Sequence, residues 1–332
     1  MAARDADRIS GQFQTAGRKI ERARDRPGRA DCPSCNHTET VLIGEIPLDR
    51  RFAGRLMPTP LQKGYLYRCP ACHLAFRHPR PQKWELDRLY AQGSESNWQT
   101  GASTRKDWSI AADWLRDHLA PGAKVLDVGC FDGGFLRIVG GSYERFGIEI
   151  HPAAAAKAEA SGIRIVGNDL EQFVMSPRFY DCVTAIDVIE HVLDPAFFLW
   201  SFSRLVKAGG YLVISTGNYD APTWRWMGAR YWYCALSEHL SFINDQWCDG
   251  IARRFGLRVE ANIRFAHAPR WPLRVAWEFS KNALYKLAPG IALWLRGYGA
   301  GHKDAFSQAT SGQHPPGWLT AKDHVLVAFQ KL

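Results

Sequence analysis

Four cysteines near the start of the chain form two Cys-x-x-Cys pairs. The first pair is Cys32 and Cys35, and the second is Cys69 and Cys72. Together they can supply four thiolates, which is a ligand set of tetrahedral structural zinc sites. A redox function would need only one such pair. The spacing therefore predicts one structural zinc ion held by the four cysteines.

A second set of residues with chemical potential lies in the stretch 124–134, which reads Lys-Val-Leu-Asp-Val-Gly-Cys-Phe-Asp-Gly-Gly. The apolar run 125–128 is typical of a buried parallel strand, and a glycine loop and a helix start follow it. Such a unit presents a nucleotide-like ligand at the carboxyl end of its strand. Two acids, Asp127 and Asp132, would repel a phosphate, and Phe131 replaces the middle glycine of a dinucleotide motif. The loop therefore favours a ligand that carries an ammonium group.

S-Adenosylmethionine (SAM) is such a ligand, because it has an amino acid end and no phosphate. The loop resembles the first motif of class I SAM-dependent methyltransferases, acid-x-Gly-x-Gly-x-Gly: Asp127, Gly129 and Gly133 match it, and Phe131 departs from it. Glu149 lies 22 residues beyond Asp127, where a carboxylate can accept both ribose hydroxyls. An ordinary strand-to-helix turn is the alternative interpretation of the loop alone.

Further motifs follow the fourth predicted strand. Residues 187–195 read Asp-Val-Ile-Glu-His-Val-Leu-Asp-Pro, and a Lys-Ala-Gly-Gly turn at 207–210 and a Ser-Thr-Gly-Asn end at 215–218 come next. Together they resemble one branch of the class I methyltransferases, which includes ubiquinone-type O-methyltransferases and enzymes of bacterial surface-polysaccharide clusters. Several of the latter carry an N-terminal four-Cys zinc module that ends in a stretch similar to residues 68–81. The resemblance covers about residues 31–256.

This resemblance implies SAM and structural zinc as cofactors, and it implies roles for single residues. His191, on the loop after the fourth strand, and His239, which follows an aromatic loop, are the candidate general bases. Glu238 would orient the His239 ring or bind a substrate hydroxyl. For His191, a hydrogen-bonded histidine that holds the turn is the alternative. The residues implied for SAM binding are Asp127, Gly129, Cys130, Gly133, Glu149, Ile150, Asp169, Leu170 and Asp187.

The elements that must position these residues alternate between strand and helix from residue 124 onward, which predicts a parallel α/β sheet. By resemblance, the fold is a Rossmann-like, seven-stranded class I methyltransferase sheet with helices on both faces, preceded by a small zinc ribbon. The helix expected at 105–119 should cover the SAM end of the sheet. The predicted regions are a mobile tail (1–30), the ribbon (31–80), a linker with covering helices (81–122) and the methyltransferase domain (123–332), with a helical insertion at 266–320.

The composition restricts the partners only loosely. The 332-residue chain has a net charge of +9, which permits an anionic partner such as nucleic acid, acidic lipid or a nucleotide sugar and selects none. Its N-terminus lacks the apolar core of a signal peptide, so we expect a cytoplasmic, reducing location with thiols rather than disulfides. A nucleic-acid-binding protein on this fold is the rival class, but the ribbon lacks a basic stripe interleaved with aromatic residues.

Two segments leave a choice between a ligand-binding and a packing role. The aromatic loop 218–240 is either a wall of the substrate site or a lid that fills the edge of the sheet. Residues 264–303 carry seven Lys or Arg against one acid, Glu278, and three tryptophans. A basic amphipathic helix of this kind can lie on an anionic membrane at its inner face, and a helix packed over the active site is the alternative.

These motifs lead us to expect a SAM-dependent methyltransferase that acts on a sugar or glycan-related acceptor in surface-polysaccharide biosynthesis, by O- or C-methylation. One alternative is an O-methyltransferase of a small aromatic or lipid-like metabolite. The other is a non-catalytic nucleic-acid-binding protein on a methyltransferase fold.

Overall fold

The computed structural model describes residues 27–48, 51–53, 55–57, 61–91, 105–168, 170, 179–298 and 314–332. The strands in these residues are β1 (Val41–Glu45), β2 (Arg51–Phe52), β3 (Arg55–Leu56), β4 (Tyr65–Arg68), β5 (Ala75–His78), β6 (Lys124–Val128), β7 (Glu144–Ile148), β8 (Arg164–Gly167), β9 (Tyr180–Ile186), β10 (Val206–Gly217), β11 (Ser241–Phe242), β12 (Leu257–Phe265) and β13 (His324–Lys331). The helices are α1 (Lys83–Ala91), α2 (Lys106–His118), α3 (Gly134–Val139), α4 (Pro152–Ala160), α5 (Pro195–Leu205), α6 (Pro222–Met227), α7 (Trp232–Ala235), α8 (Asp245–Phe255), α9 (Pro272–Leu287) and α10 (Pro289–Tyr298).

The central sheet has seven strands in the order β12-β13-β10-β9-β6-β7-β8. β6 pairs in parallel with β7 and β9, and β13 runs antiparallel to both of its neighbours, β10 and β12. The buried apolar runs of the sequence explain this arrangement, because parallel strands are covered on both faces. The predicted seven-stranded Rossmann-like sheet is therefore confirmed, and the structure shows that its last strand in the chain is antiparallel.

The predicted turn at 207–210 lies inside β10. Val206 already pairs with β9, the next four residues are irregular, and the pairing resumes at Tyr211. Gly209 adopts a φ of 76°, which favours glycine, and a Cβ at Gly210 would lie 2.7 Å from the Asp181 carbonyl oxygen. The two glycines thus bend the strand without ending it.

The zinc-ribbon region and the methyltransferase region share a sheet. β1, β4 and β5 form an antiparallel sheet whose fourth strand is β11, a two-residue strand from the far part of the chain. Arg77 on β5 donates from Nε to the carbonyl oxygen of His239 at 3.1 Å and from Nη2 to that of Leu236 at 3.1 Å. The ribbon is thus joined to the loop that carries a predicted catalytic histidine.

The last residues of the predicted tail also belong to this ribbon. Ala30 is buried, its carbonyl oxygen accepts a hydrogen bond from Thr40 Oγ1, and the Gly28 carbonyl oxygen accepts one from Tyr67 Oη at 2.7 Å. The boundary predicted at residue 30 therefore lies too late. Residues 1–26 lie outside the described part of the chain.

The aromatic loop is largely core. Among its rings, Trp224 and Tyr231 are fully buried, and Tyr219, Trp232 and Tyr233 are less than a tenth exposed. They form one hydrophobic cluster with residues of the ribbon, such as Leu66 and Ala75 on its strands. The packing interpretation therefore holds for most of this loop.

In the described part of the chain, none of the helices is both long and apolar enough to cross a membrane.

Candidate active site

The loop after β6 covers the carboxyl end of the central strand. Gly129 and Gly133 have φ values of 75° and 77°, and Phe131 adopts a φ of 48° where the family pattern has a glycine. A non-glycine residue in this left-handed region costs roughly 1 kcal/mol, a strain that the chain accepts here. A Cβ at Gly133 would lie 2.1 Å from Ile163 Cδ1, so the close packing of the loop requires glycine there.

Asp127 lies near the end of β6 and is buried. Its Oδ1 accepts a hydrogen bond of 2.7 Å from Thr184 Oγ1 on the adjacent strand β9. Burial raises the pKa of Asp127 to about 7, although the Thr184 hydrogen bond lowers it. A buried carboxylate is stabilised in its charged form by a cation, so this site fits the ammonium group of an amino acid.

Glu149 follows β7 and connects two loops. Its Oε2 accepts a hydrogen bond of 2.8 Å from the Phe131 backbone nitrogen, and its Oε1 accepts one of 2.7 Å from the His151 backbone nitrogen. Burial raises the pKa of Glu149, and these bonds oppose that shift. Each carboxylate oxygen has a second lone pair, so Glu149 can still accept from ribose hydroxyls.

The other residues predicted for SAM binding differ in exposure. The Cys130 side chain packs into the core against Gly147, where a Cβ would lie 2.4 Å from the sulfur. Ile150 is 66% exposed, whereas Leu170 is partly buried against the core. Asp169 lies outside the described residues. Their contacts with SAM stay predictions, and Cys130 could make one only through its backbone.

Arg105 is a residue that the sequence analysis missed. It precedes α2, which lies over the glycine loop as predicted, with Trp108 against Gly134. The Arg105 guanidinium pairs with Asp187, after β9, and with Asp107, whose Oδ1 is 3.1 Å from Arg105 Nε. Burial by itself would lower the pKa of Arg105, but the two carboxylates raise it. A fixed cation therefore lies at the carboxyl edge of the sheet, where it could bind a carboxylate.

The structure brings the two predicted catalytic histidines together. The ring centroids of His191 and His239 are 4.8 Å apart, with an interplanar angle of 78°. His191 Nδ1 is 3.2 Å from the Glu238 carbonyl oxygen, and His239 Nδ1 is 3.0 Å from the Tyr233 carbonyl oxygen. A carbonyl oxygen can only accept, so in each neutral ring Nδ1 carries the proton and Nε2 is the basic nitrogen.

Burial lowers the pKa of both rings, that of His239 most strongly, with the neighbouring His191 adding to the effect. Both histidines are therefore neutral near pH 7. The backbone carbonyl of Tyr233, rather than the Glu238 carboxylate, supplies the bond at His239 Nδ1. The predicted orienting role of Glu238 thus passes to Tyr233, while the proposed substrate contact of Glu238 stays a prediction.

Glu190 and two tyrosines complete this histidine cluster and were not predicted. Tyr233 Oη donates to Glu190 Oε1 at 2.5 Å, and Thr216 Oγ1 donates to Glu190 Oε2 at 2.8 Å. Burial raises the pKa of Glu190 to about 7. The Tyr90 ring on α1 lies 6.3 Å from that of His191, and its buried hydroxyl has no hydrogen-bond partner in the described part of the chain. That hydroxyl is available to an acceptor.

A second histidine pair lies at the same edge of the sheet, where β12 ends and β13 begins. The rings of His267 and His324 are 4.2 Å apart, and His324 Nδ1 is 2.9 Å from Asp323 Oδ1. Burial alone would lower the pKa of His324, but Asp323 and Asp187 raise it. Asp187, which pairs with Arg105, thus also acts electrostatically on this pair, and no pattern in the sequence indicated the pair.

The four predicted zinc ligands also come together. The Sγ atoms of Cys32 and Cys72 are 3.5 Å apart, as are those of Cys35 and Cys69, and all four lie within 4.8 Å of one another. Zinc–sulfur bonds of about 2.3 Å place tetrahedral thiolates about 3.8 Å apart, so the geometry fits the ion. Asn36 and His73, each one residue after a pair, have φ values of 59° and 67°, and their backbone nitrogens donate back to the carbonyl oxygens of Cys32 and Cys69. Two matching turns thus present the ligands.

The central segment has a recognisable class. Residues 104–262 match the family model of a methyltransferase domain. This segment contains the glycine loop, the two acids Asp127 and Glu149, and both predicted catalytic histidines. The predicted methyltransferase class is therefore confirmed for this segment.

The names of the curated relatives state a narrower function than the family model does. The ubiquinone biosynthesis O-methyltransferase of Pectobacterium carotovorum is 33% identical over 124 residues, which are 33% of this chain and 50% of the relative. The enzyme of the same name from Erwinia tasmaniensis is 34% identical over 140 residues, 37% of this chain and 55% of the relative. The chain thus spans about half the length of these relatives. They support the resemblance to ubiquinone-type enzymes, while the resemblance to polysaccharide enzymes stays a prediction.

Solved structures are similar at a greater distance. A SAM-dependent methyltransferase from Mesorhizobium loti aligns with a TM-score of 0.40 and 18% identity, covering 68% of this chain and 100% of that chain. A geranyl diphosphate C-methyltransferase from Streptomyces coelicolor aligns with a TM-score of 0.41 and 14% identity, covering 68% of this chain and 80% of that chain.

Proposed function

We propose that this protein transfers the methyl group of SAM to a phenolic hydroxyl of a small aromatic acceptor. The observation that carries the proposal is the pair of facing histidines, each held through Nδ1 by a backbone carbonyl, at the edge of the sheet that also presents Asp127 and Arg105. When bound, SAM supplies a methyl group on a sulfonium.

The residues at the glycine loop would hold the amino acid end of SAM. Asp127 accepts from the ammonium group, and Arg105 donates to the carboxylate, which competes with Asp187 for this cation. Glu149 accepts from the ribose hydroxyls while its backbone bonds keep the Phe131 loop in place. These contacts fix the cofactor on one side of the histidine cluster, so that acceptor and methyl group can be aligned.

Proton transfer would fall to the histidines. His239 Nε2 accepts the hydroxyl proton, with His191 beside it, and the Tyr90 hydroxyl donates to the acceptor oxygen. A histidine whose pKa is lowered by burial is a weak base. The difference between its pKa and that of the acceptor hydroxyl is smaller for a phenol, whose pKa is about 10, than for a far less acidic sugar alcohol. The weak basicity of His239 therefore supports a phenolic acceptor over the sugar acceptor favoured by the sequence, in agreement with the O-methyltransferase names of the curated relatives.

Radiolabelled methyl transfer tests the proposal. Purified protein would be incubated with methyl-labelled SAM and either catechol or methyl glucoside, and the products would be separated. We expect a methyl ether of catechol, with transfer abolished or strongly reduced in His239→Ala. Methylation of the glucoside with catechol left unchanged would overturn the phenolic assignment.

A further inference from the structure

Helix α9 presents several large apolar residues to solvent and buries two polar residues against the protein. Three exposed residues on it are Leu273, Trp277 and Leu287, which are 87%, 63% and 81% exposed. Two of its three buried residues are polar: Glu278 is 5% exposed and Asn282 is fully buried. A surface helix of a water-soluble domain normally has the opposite arrangement.

Specific hydrogen bonds hold the helix in this orientation. Glu278 Oε2 accepts from the backbone nitrogen of Thr320 at 2.8 Å and from its Oγ1 at 2.7 Å, while Arg274 Nε donates to Glu278 Oε1 at 3.2 Å. Asn282 Nδ2 donates to the Glu278 carbonyl oxygen at 2.9 Å. The buried carboxylate is thus satisfied only when the polar side of α9 faces residue 320, which turns the apolar side outward.

The exposed apolar surface continues onto α10, which packs beside α9. Ile291, Trp294 and Leu295 on α10 are 55%, 60% and 47% exposed. We call the combined surface the outer face; its members are Trp271, Leu273, Trp277, Leu287, Ile291, Trp294 and Leu295. Six large apolar side chains on two adjacent helices, with Trp271 just before the first of them, exceed the scattered exposure that is normal for a monomer, so this surface is expected to have an occupant.

The charge around the outer face is strongly positive. Residues 264–298 contain six Lys or Arg and one acid, the buried Glu278. Lys281 Nζ lies 5.6 Å from the Trp277 ring, and Lys286 Nζ lies 4.4 Å from the ring of Trp226, which is partly exposed beside α9. Cations that lie against tryptophans on an apolar helix face are typical of peptides and enzymes at the interface of anionic bilayers.

We propose that the outer face docks this protein onto the surface of an anionic lipid bilayer. A second copy of the chain is disfavoured as the occupant, because two like surfaces, each with several cations and one neutralised acid, would repel one another. A bilayer that contains acidic lipid supplies both a negative headgroup layer for the cations and an apolar boundary for the tryptophans and leucines.

A cavity along α9 indicates what the docking serves. It has a volume of about 1000 Å³ and is lined by apolar residues of α9, including Val275 and Phe279, and by residues 320–322, which lead directly into Asp323 at the second histidine pair. Two of its cations are Arg264 and Arg270. If methyl transfer proceeds as proposed above, an amphipathic acceptor could pass from the bilayer into this cavity, so this step rests on the proposed function and the docking itself does not.

Co-sedimentation with vesicles tests the docking without any methyl transfer. The full chain would be spun with phosphatidylcholine vesicles and with vesicles that contain about a third phosphatidylglycerol, at low and high salt. We expect binding to the anionic vesicles at low salt and loss of it at high salt, because the electrostatic attraction is screened. The double variant Trp277→Ser/Trp294→Ser should weaken binding by about tenfold or more. Trp84→Ser is the matched control, since Trp84 is 62% exposed on α1, and should bind like the wild type.

A charge reversal provides an independent test. Arg270→Glu should weaken binding to anionic vesicles by about fivefold or more, whereas Arg253→Glu, at an exposed position of α8, should not. No vesicle binding at low salt would overturn the proposal, as would equal losses in the test and control variants. Sedimentation velocity showing a dimer that Trp277→Ser/Trp294→Ser dissociates would overturn it in favour of a second copy.

Discussion

The protonation of Asp127 should make cofactor binding depend on pH in a defined way. Burial raises the pKa of this carboxyl to about 7, so in the free protein it is neutral below that pH and charged above it. The buried charge therefore reduces folding stability as the pH rises through about 7, and a bound ammonium offsets that cost. Because the ammonium group binds the charged carboxylate, Asp127 must lose its proton when the cofactor binds below about pH 7.

The size of the effect follows from this pKa. For a group that titrates at about 7, the charged fraction rises roughly eightfold between pH 6 and pH 7.5, so the dissociation constant of the demethylated product, S-adenosylhomocysteine, should fall by about the same factor. Isothermal titration calorimetry at closely spaced pH values measures this directly. Asp127→Asn should bind more weakly by about 1.5–3 kcal/mol and lose the pH dependence.

Thr184 provides a sharper version of the same experiment. Its hydroxyl donates to Asp127 Oδ1 at 2.7 Å and lowers the carboxyl pKa. Thr184→Val should therefore move the midpoint of the binding curve upward by about one pH unit, whereas Thr184→Ser, which keeps a hydroxyl, should leave it in place. A flat wild-type curve between pH 6 and pH 7.5, or equal curves for the Val and Ser variants, would refute the reasoning.

Three further predictions concern the histidine, the zinc site and the ribbon. His239→Ala should lower kcat by about 10²–10⁴ with little change in cofactor affinity, and near-normal turnover would remove this residue from the mechanism. Protein purified without chelators should contain one zinc per chain by metal analysis, and chelation should raise hydrogen exchange across residues 31–78, because binding energy is folding energy in such modules. Arg77→Met should cost roughly 3–5 kcal/mol in denaturant unfolding, because it removes several charge-assisted bonds to buried carbonyls. Arg254→Met, which removes one partly buried bond of 3.3 Å to the Ser34 carbonyl oxygen, should cost well under half as much.

The sequence predicted the central sheet well, because apolar strands and glycine turns are local signals. It missed Arg105 because the residue precedes its helix in a segment without periodicity, and it becomes important only through Asp187, 82 positions later. The link between ribbon and sheet was also missed, since β11 has only two residues and no alternation to recognise.

The other differences between the prediction and the structure come from the direction of β13 and the orientation of helix α9. His324 and Asp323 reach the site because β13 is antiparallel, so its first residues lie at the edge where the parallel strands end. The pattern of α9 predicted an amphipathic helix but not which face is buried, and the hydrogen bonds from Thr320 to the buried Glu278 carboxylate turn that side of the helix inward. Periodicity defines faces, whereas the partners of one buried charge can decide which face turns inward.

The four-cysteine cluster predicted to bind zinc is connected through β5 to His239, the base in the proposed reaction. The second Cys-x-x-Cys turn leads straight into β5, where Arg77 binds the carbonyl oxygen of His239 and β11 pairs immediately after that histidine. Arg80, just beyond β5, donates to the carbonyl oxygen of Val192 at 3.0 Å, next to His191. Arg77 on β5 and Arg80 just after it thus bind the backbone at His239 and next to His191. Both arginines follow the second Cys-x-x-Cys pair closely in the chain. Loss of zinc should therefore reduce turnover before it affects binding at Asp127, which lies on the separate central sheet.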